Sequence, residues 1–247
     1  MPFDRDVAKL TVELSRLAYK DATDAHTGAS AQGLGEFKFY DGGNSTQAFF
    51  AASGTDRYLS FRGTESNNAR DWVVDAKFSP KPGALGKVHS GFDEALDEVW
   101  TDVAADLAGD ARPLTITGHS LGGGLAILAA ARLIDAGSSP AAVYVFGCPR
   151  PGLTGFRDSY DGALKNLTHR VINHIDIVTR VPLLTQGFRA PGLRQYFDKS
   201  GTFHESAGAW QIIKEDLIYR ATNFKSIEAI GLGTHEIGAY MARVNSL

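Results

Sequence analysis

The chain of 247 residues carries a formal charge of −3, from 25 Lys and Arg against 28 Asp and Glu, and 43% of its residues are hydrophobic. This composition is typical of a globular protein, and its interleaved charges offer no basic stripe for a phosphate backbone, so a nucleic-acid partner is not expected. The length favours one domain over residues 1–247. Cys148 is the single cysteine, which excludes an internal disulfide and a multi-thiolate zinc site.

The first residues, MPFDRDVAKL, alternate acids and bases where a secretory signal would have a basic start and then an apolar stretch. We therefore expect a cytoplasmic protein, or one exported without a recognisable signal peptide. The longest purely apolar run, Leu125 to Ala131, is far shorter than the ~20 residues that cross a bilayer. No transmembrane segment is expected.

The N-terminal part predicts a helix, a loop and three strands. Apolar residues recur at helical spacing from Asp6 to Lys20, and the stretch Thr27–Gly35, rich in Gly, Ser and Ala, is predicted to be a loop. Strands are predicted at Phe37–Tyr40, Gln47–Ala52 and Arg57–Phe61. Because turn-forming residues separate the first two, a β-meander is the expected arrangement.

The rest of the chain alternates helices with short apolar strands, which is typical of a buried parallel sheet with helical crossovers. We therefore predict an α/β protein with a mostly parallel central sheet flanked by helices. The predicted elements are a helix over Phe92–Leu107, a strand at Leu114–Thr117, a helix over Leu121–Ala136, strands at Ala142–Phe146 and Arg170–Ile175, and helices over Trp210–Tyr219 and Glu236–Val244.

A G-x-S-x-G pentapeptide, Gly118-His119-Ser120-Leu121-Gly122, lies between one of these strands and the helix after it. On such a turn the flanking glycines let strand and helix approach closely, and the serine hydroxyl is presented at the carboxyl edge of the sheet. The N–H groups and dipole at the helix start favour an oxyanion there. The sequence therefore predicts Ser120 as a nucleophile.

A nucleophilic serine needs a base and an acid, which in this strand-turn-helix arrangement follow it in the order acid, then histidine. Asp176 stands at the end of a predicted strand, so its side chain is expected at the same sheet edge as Ser120. His204 and His235 are the histidines that follow it. We favour His235, which directly precedes the C-terminal helix, and keep His204 as the alternative base. The histidines before Asp176 are predicted to be structural, namely His26, His89, His119, His169 and His174.

With these residues assembled, the chain resembles the class 3 lipase family of α/β-hydrolases over about residues 57 to 240. The resemblance rests on an ordered set of motifs: Phe61-Arg62-Gly63-Thr64, Asp71-Trp72 with Asp75, His89-Ser90-Gly91-Phe92, Thr117 to Gly123, Phe146 to Gly152, Asn173 to Asp176 with Val178 and Pro182, and His235 to Tyr240. It implies an α/β-hydrolase fold and supports Ser120, Asp176 and His235 as nucleophile, acid and base.

The resemblance also implies an oxyanion hole. In this family's pattern, the backbone N–H groups of Thr64 and Leu121 receive the developing oxyanion, and Thr64 Oγ1 is a third donor. Asp75 is the carboxylate expected to orient Thr64. The segment Glu65–Asp75 corresponds to the lid of fungal lipases, and its polar composition favours weak interfacial activation, although its Trp and Val residues could instead pack on the core.

The expected activity is that of a serine carboxylic-ester hydrolase acting on acylglycerols or short- to medium-chain acyl esters, with no cofactor and no metal. A phospholipase or another acyl hydrolase remains an alternative, because the same triad serves each of these reactions. A catalytically silent lipase-like scaffold that binds a lipid or a partner is the alternative from another class. Cys148 is expected to be a packed thiol instead of a second nucleophile.

Overall fold

The computed structural model describes residues 2–44, 46–64, 79–208 and 232–247. In chain order, its main elements are α1 (Arg5–Leu17), α2 (Ala22–Ala31), β1 (Glu36–Asp41), β2 (Gln47–Ala52), β3 (Arg57–Phe61), β4 (Pro80–Gly83), β5 (Gly86–His89), α3 (Ser90–Leu107), β6 (Leu114–His119), α4 (Leu121–Asp135), β7 (Ala142–Phe146), β8 (Gly152–Leu153), α5 (Thr154–Leu164), β9 (Thr168–Asn173), β10 (Phe188–Arg189), β11 (Leu193–Phe197), β12 (Phe203–His204) and α6 (Ile237–Asn245).

The larger of the two sheets formed by the described residues has the strand order β1-β2-β3-β6-β7-β9-β11-β12. Strands β1, β2 and β3 form the predicted antiparallel meander, and β3, β6, β7, β9 and β11 then run parallel to one another. The predicted mostly parallel α/β sheet is therefore confirmed. A second sheet, in the order β10-β8-β5-β4, was not predicted, because its strands are short and contain Pro and Gly.

Helices cover both faces of the larger sheet, which explains why central strands are buried along their whole length. Every residue of β3, β7 and β9 is buried. On one face, α3 and α4 pack on the sheet through side chains such as Phe92, Leu96 and Leu125. On the other face, α1 and α6 contribute Val12 and Val244 to a second core cluster. The carboxyl ends of the parallel strands consequently lie together at one edge of the sheet, between these layers.

The predicted loop over Thr27–Gly35 is wrong, because α2 runs over Ala22–Ala31 and includes the first part of it. The helix begins where the side chain of Asp21 accepts a hydrogen bond from the Asp24 N–H at 2.9 Å. Its small residues Ala25 and Ala29 are fully buried in a cluster with α1. Low helix propensity is here outweighed by close packing, which composition alone does not reveal.

Other boundaries differ by a few residues. The first helix ends at Leu17 instead of Lys20, and the strand before Asp176 spans Thr168–Asn173 instead of reaching Ile175. The predicted helix over Trp210–Tyr219 lies outside the described residues, and the single domain over 1–247 stays a prediction. Among the helices that the structure describes, none is long and apolar enough to cross a membrane.

Candidate active site

Ser120 occupies the turn between β6 and α4 with φ 58° and ψ −128°, a backbone conformation that is strained for a residue with a side chain. Its N–H donates to the Phe146 carbonyl at 2.9 Å, which fixes the turn to the end of β7. A Cβ at Gly118 would overlap the backbone of Gly122, and one at Gly122 would overlap the carbonyl of Phe61. Both glycines are therefore required for the helix to start this close to the sheet.

A continuous chain of hydrogen bonds joins the three residues predicted as nucleophile, base and acid. His235 Nε2 lies 2.9 Å from Ser120 Oγ, and His235 Nδ1 lies 2.8 Å from Asp176 Oδ2. Because the carboxylate can only accept, Nδ1 carries the proton, and Nε2 is left to accept the serine hydroxyl's hydrogen. The side chains are almost fully buried, with 0% exposure for Asp176 and 2% for Ser120.

The carboxylate of Asp176 is held by two further hydrogen bonds. Oδ1 accepts the Val178 N–H at 2.8 Å, and Oδ2 accepts the Tyr240 hydroxyl at 2.6 Å. The same tyrosine oxygen accepts the N–H of Asn173 at 3.1 Å. Burial, followed by the charge of Asp176, raises the pKa of Tyr240 well above its usual value, so Tyr240 remains a donor. These contacts fix the carboxylate against the imidazole.

Tyr240 is thus a residue whose part in the site was not foreseen. In the sequence it is only the last residue of the motif that begins at His235. The available signal was its place on the C-terminal helix α6, one turn and a half after His235. Nothing in the local sequence, however, indicates that this helix turns its tyrosine hydroxyl toward β9.

His119 also has a part that sequence reasoning missed, since it was predicted to be structural. Its ring stacks on that of His235 at 4.6 Å between centroids, and its Nε2 lies 2.7 Å from the His235 carbonyl oxygen. Nε2 must donate there, so Nδ1 accepts from the Tyr19 hydroxyl at 2.8 Å. Burial, and next the neighbouring His235, hold the pKa of His119 well below its usual value. His119 is therefore a neutral ring that packs against His235 and holds its backbone in place.

The segment predicted to form the oxyanion hole leaves the sheet beside Ser120. Phe61 of β3 pairs with Gly118 of β6 in parallel register, so Thr64, three residues beyond Phe61, follows the strand at the same edge. Leu121 is the first residue of α4, where backbone N–H groups have no partner within the helix. The predicted lid Glu65–Asp75, which includes Asp75, lies outside the described residues, and Thr64 is the last described residue before it.

The alternative residues lie elsewhere. His204, the second candidate base, lies on the outermost strand β12 with its Nε2 2.8 Å from Asp198, whereas the histidine hydrogen-bonded to Ser120 is His235. Cys148 is buried, and burial raises the pKa of its thiol to about 12, which disfavours a thiolate nucleophile. Over the residues that the structure describes, no group of three His, Cys, Asp or Glu side chains is arranged to hold a metal ion.

Comparison with known sequences gives a consistent assignment. The family model described as Lipase (class 3) matches residues 58–186, which is more than half of the chain. A secreted mono- and diacylglycerol lipase of Fusarium solani is 34% identical over 148 residues, covering 57% of this chain and 43% of that protein. A chloroplastic phospholipase A1-Igamma1 of Arabidopsis thaliana is 28% identical over 174 residues, covering 55% of this chain and 33% of that protein. The chain spans less than half the length of these relatives.

Solved structures agree in fold. The Rhizomucor miehei lipase in its propeptide complex superposes with a TM-score of 0.71 at 23% identity, covering 86% of this chain and 78% of that one. The architecture of both is the α/β-hydrolase fold, as the resemblance implied. The matched region includes Ser120 with its strand-turn-helix setting, Asp176, and the Phe61–Thr64 segment. On these grounds the chain belongs to the class 3 lipase family.

Proposed function

We propose that this protein is a serine carboxylic-ester hydrolase that acts through an acyl-enzyme, with Ser120 as nucleophile, His235 as general base and acid, and Asp176 as the carboxylate that orients the histidine. The observation that carries the proposal is the unbroken hydrogen-bond chain from Ser120 Oγ through His235 to Asp176, at 2.9 and 2.8 Å. Nucleophile, base and orienting group within hydrogen-bond reach are what this reaction needs.

In the first half of the reaction, Ser120 Oγ attacks the ester carbonyl carbon while its proton passes to His235 Nε2. Asp176, already bound to Nδ1–H, stabilises the imidazolium that forms. The carbonyl oxygen becomes an oxyanion, for which the N–H groups of Thr64 and Leu121 and the Thr64 hydroxyl are the proposed donors, with Asp75 orienting Thr64. The intermediate collapses as the alcohol leaves with the proton from Nε2, and the acyl group stays on Ser120.

In the second half, a water molecule takes the place of the alcohol. His235 Nε2 accepts a proton from the water as its oxygen attacks the acyl carbon, and the same oxyanion donors bind the second tetrahedral intermediate. When this intermediate collapses, Ser120 Oγ leaves and recovers the proton. The products are a carboxylic acid and an alcohol, and the side chains return to their starting state.

We infer that the substrates are acylglycerols or short- to medium-chain acyl esters, presented in solution or at a lipid-water interface. The name of the Fusarium solani relative, a mono- and diacylglycerol lipase, supports this substrate class. Phospholipid is the second candidate substrate, favoured by the similarity to a plant phospholipase A1. A silent scaffold has little support, because the hydrogen-bonded serine, histidine and aspartate are all in place.

A cytoplasmic location was one of two expectations from the sequence, and the comparisons do not favour it, since the Fusarium solani relative is named as a secreted enzyme. Export without a recognisable signal stays a prediction.

The proposal is tested with a chain-length series of p-nitrophenyl esters beside an emulsified triglyceride and a phosphatidylcholine. The native protein is expected to hydrolyse at least one ester class, and Ser120→Ala to lose on the order of 10³–10⁶-fold in kcat while keeping its far-UV circular dichroism. Ser139→Ala, at an exposed serine, is the matched control and should keep full activity. Activity of Ser120→Ala within tenfold of the native protein would overturn the proposal, and full inactivity of the native protein on every class would favour the scaffold.

A further inference from the structure

A cavity of about 550 Å³ lies beside the active-site edge and has an unusual lining. Of the thirteen residues that line it in the described part of the chain, six are arginines and none is acidic: Arg150, Arg157, Arg170, Arg180, Arg189 and Arg194. The whole chain has a net negative charge, yet nearly a quarter of its 25 Lys and Arg residues line this one cavity. A random distribution of surface charge does not concentrate like charges in this way.

Arg170 is the arginine that most requires a partner. It lies on β9, is only 6% exposed, and its Nε is buried with no hydrogen-bond partner in the described part of the chain. Burial, and next the charge of Arg194, lower the pKa of its guanidinium to about 10, whereas the attraction of Asp161 is smaller. A charge withdrawn from water and left unpaired is strongly destabilising, so a counter-charge is expected.

Arg194 increases the need for a counter-charge. It stands directly across from Arg170 in the parallel register of β9 and β11, and both side chains line the cavity. Neighbouring strands lie about 4.8 Å apart, and like charges placed opposite one another on a sheet repel. Over the described residues, no carboxylate lies within ion-pair distance of Arg150, Arg170, Arg189 or Arg194, whereas the rim residue Arg157 does pair, with Asp158 at 2.7 Å.

Arg150 and Arg189 are already oriented by the fold. Arg150 Nη1 donates to the carbonyl oxygens of Arg180 and Pro182, and Arg189 Nη1 donates to those of Leu184 and Phe188. One terminal nitrogen of each guanidinium is thus held by backbone, while burial lowers the pKa of Arg150 to about 10. Guanidinium groups fixed in this way present preorganised donors that match the oxygens of a phosphate.

We propose that this cavity is a binding site for a phosphate group carried on a small organic moiety, such as glycerol phosphate or the headgroup of an anionic phospholipid. The volume is far larger than a bare ion needs and falls in the range of small-molecule sites. Leu183 and Leu184 at the rim are 55% and 53% exposed, which gives an acyl or glycerol moiety an apolar surface beside the arginines. The site is separate from Ser120 and does not rest on the proposed hydrolysis.

The site nevertheless adjoins the active-site acid. Thr179 lines the cavity, and its Oγ1 donates to the backbone carbonyl of Asp176 at 2.8 Å. The neighbouring Val178 N–H donates to the Asp176 carboxylate at 2.8 Å. A bound phosphate would therefore steady the short 3₁₀ turn Val178–Arg180, which holds the carboxylate in place.

The test is titration calorimetry with glycerol 3-phosphate and with inorganic phosphate at constant ionic strength, together with co-sedimentation on vesicles of phosphatidic acid and of phosphatidylcholine. The native protein should bind glycerol 3-phosphate at one site, and Arg170→Gln/Arg194→Gln should raise the Kd at least about tenfold. Arg5→Gln/Lys20→Gln removes the same charge from the exposed N-terminal region and should bind as the native protein does.

The vesicle arm distinguishes the two sources of the phosphate. If the protein binds phosphatidic acid vesicles and glycerol 3-phosphate displaces it from them, the ligand is a lipid headgroup. If it binds glycerol 3-phosphate but not the vesicles, the ligand is a soluble phosphate. Either result supports the site.

Absence of binding in both arms, or equal weakening in the two double variants, would overturn it. Because the double variant removes the repulsion between Arg170 and Arg194, Arg170→Gln/Arg194→Gln should be at least as resistant to urea as the native protein in phosphate-free buffer. A loss of stability there would show that the arginines are structural and would also overturn the site. Should the double variant not fold, Arg194→Gln alone gives the same comparison.

Discussion

Replacement of Tyr240 by Phe removes one oxygen atom from a fully buried position behind the active site. That oxygen donates to Asp176 Oδ2 at 2.6 Å and accepts the Asn173 N–H at 3.1 Å. The ring itself packs between α6 and the sheet, in edge contact with Phe146. Because Phe keeps this packing, the variant isolates the two hydrogen bonds.

The expected loss follows from those two bonds. A hydrogen bond to a buried carboxylate contributes about 1.5–3 kcal/mol, and one between neutral groups about 0.5–1.5 kcal/mol, so Tyr240→Phe should cost about 2–4 kcal/mol of unfolding free energy. For a chain of this length each kcal/mol lowers Tm by about 2–4 °C, which gives a fall of about 5–15 °C. A carboxylate held less firmly also orients His235 less well, so kcat should fall about tenfold with KM unchanged.

Tyr160→Phe is the matched control. Tyr160 is equally buried, but its hydroxyl bonds to the neutral Thr168 Oγ1 at 2.9 Å, away from the active site. Its loss should cost only about 0.5–1.5 kcal/mol and leave kcat unaltered. Urea unfolding, calorimetry and steady-state kinetics on the best p-nitrophenyl ester give all three quantities. Equal kcat in the native protein and Tyr240→Phe would refute the role of this tyrosine in holding Asp176.

Three further outcomes are expected. Asp176→Asn should lower kcat by about 10³–10⁴-fold, since an amide cannot hold the tautomer of the base that accepts the serine proton, and a loss below tenfold would contradict this. Thr64→Val should lower kcat by about a hundredfold or more with KM within a few-fold, whereas a raised KM with unchanged kcat would make Thr64 a substrate-binding residue. Burial lowers the pKa values of His89 and His169 to about 4. Because these side chains titrate near 6.5 when unfolded, the unfolded chain binds more protons than the folded chain below that pH. The unfolding free energy measured in urea should therefore be greatest above about pH 6.5 and fall toward pH 4, by up to about 3 kcal/mol per histidine. A stability that is constant over that interval would contradict their burial as neutral rings.

The sequence predicted the parallel core well because its strands are buried on both faces. Strands β2, β3 and β7 have the predicted bounds, and α4 differs from its prediction by one residue. Continuous apolar runs between helical patterns have few other solutions. By contrast, α2 and the small sheet of β4, β5, β8 and β10 depend on packing between distant segments, which local composition does not encode.

At the active site, too, the features encoded locally were predicted, and those that depend on contacts between distant segments were not. Strand ends and chain order predicted Ser120 and Asp176 and favoured His235 over His204, the family resemblance supported His235, and the structure brings the three together. Tyr240 and His119 were missed because their contacts join residues that are 64 and 116 positions apart. The arginine cavity was missed as well, since its members are scattered from residue 150 to residue 194 and converge only when β9 and β11 pair.

Covalent labelling with diethyl p-nitrophenyl phosphate tests the central claim most directly. The serine oxygen displaces p-nitrophenolate from phosphorus, and the diethylphosphoryl group stays on the enzyme, so release of the phenolate counts active sites while peptide mass spectrometry locates them. We expect one phenolate per chain, a single adduct on Ser120, and labelling slowed by at least about a hundredfold in His235→Ala. An adduct on another residue, or equal labelling rates for the native protein and His235→Ala, would contradict the assignment of Ser120 as a nucleophile activated by His235.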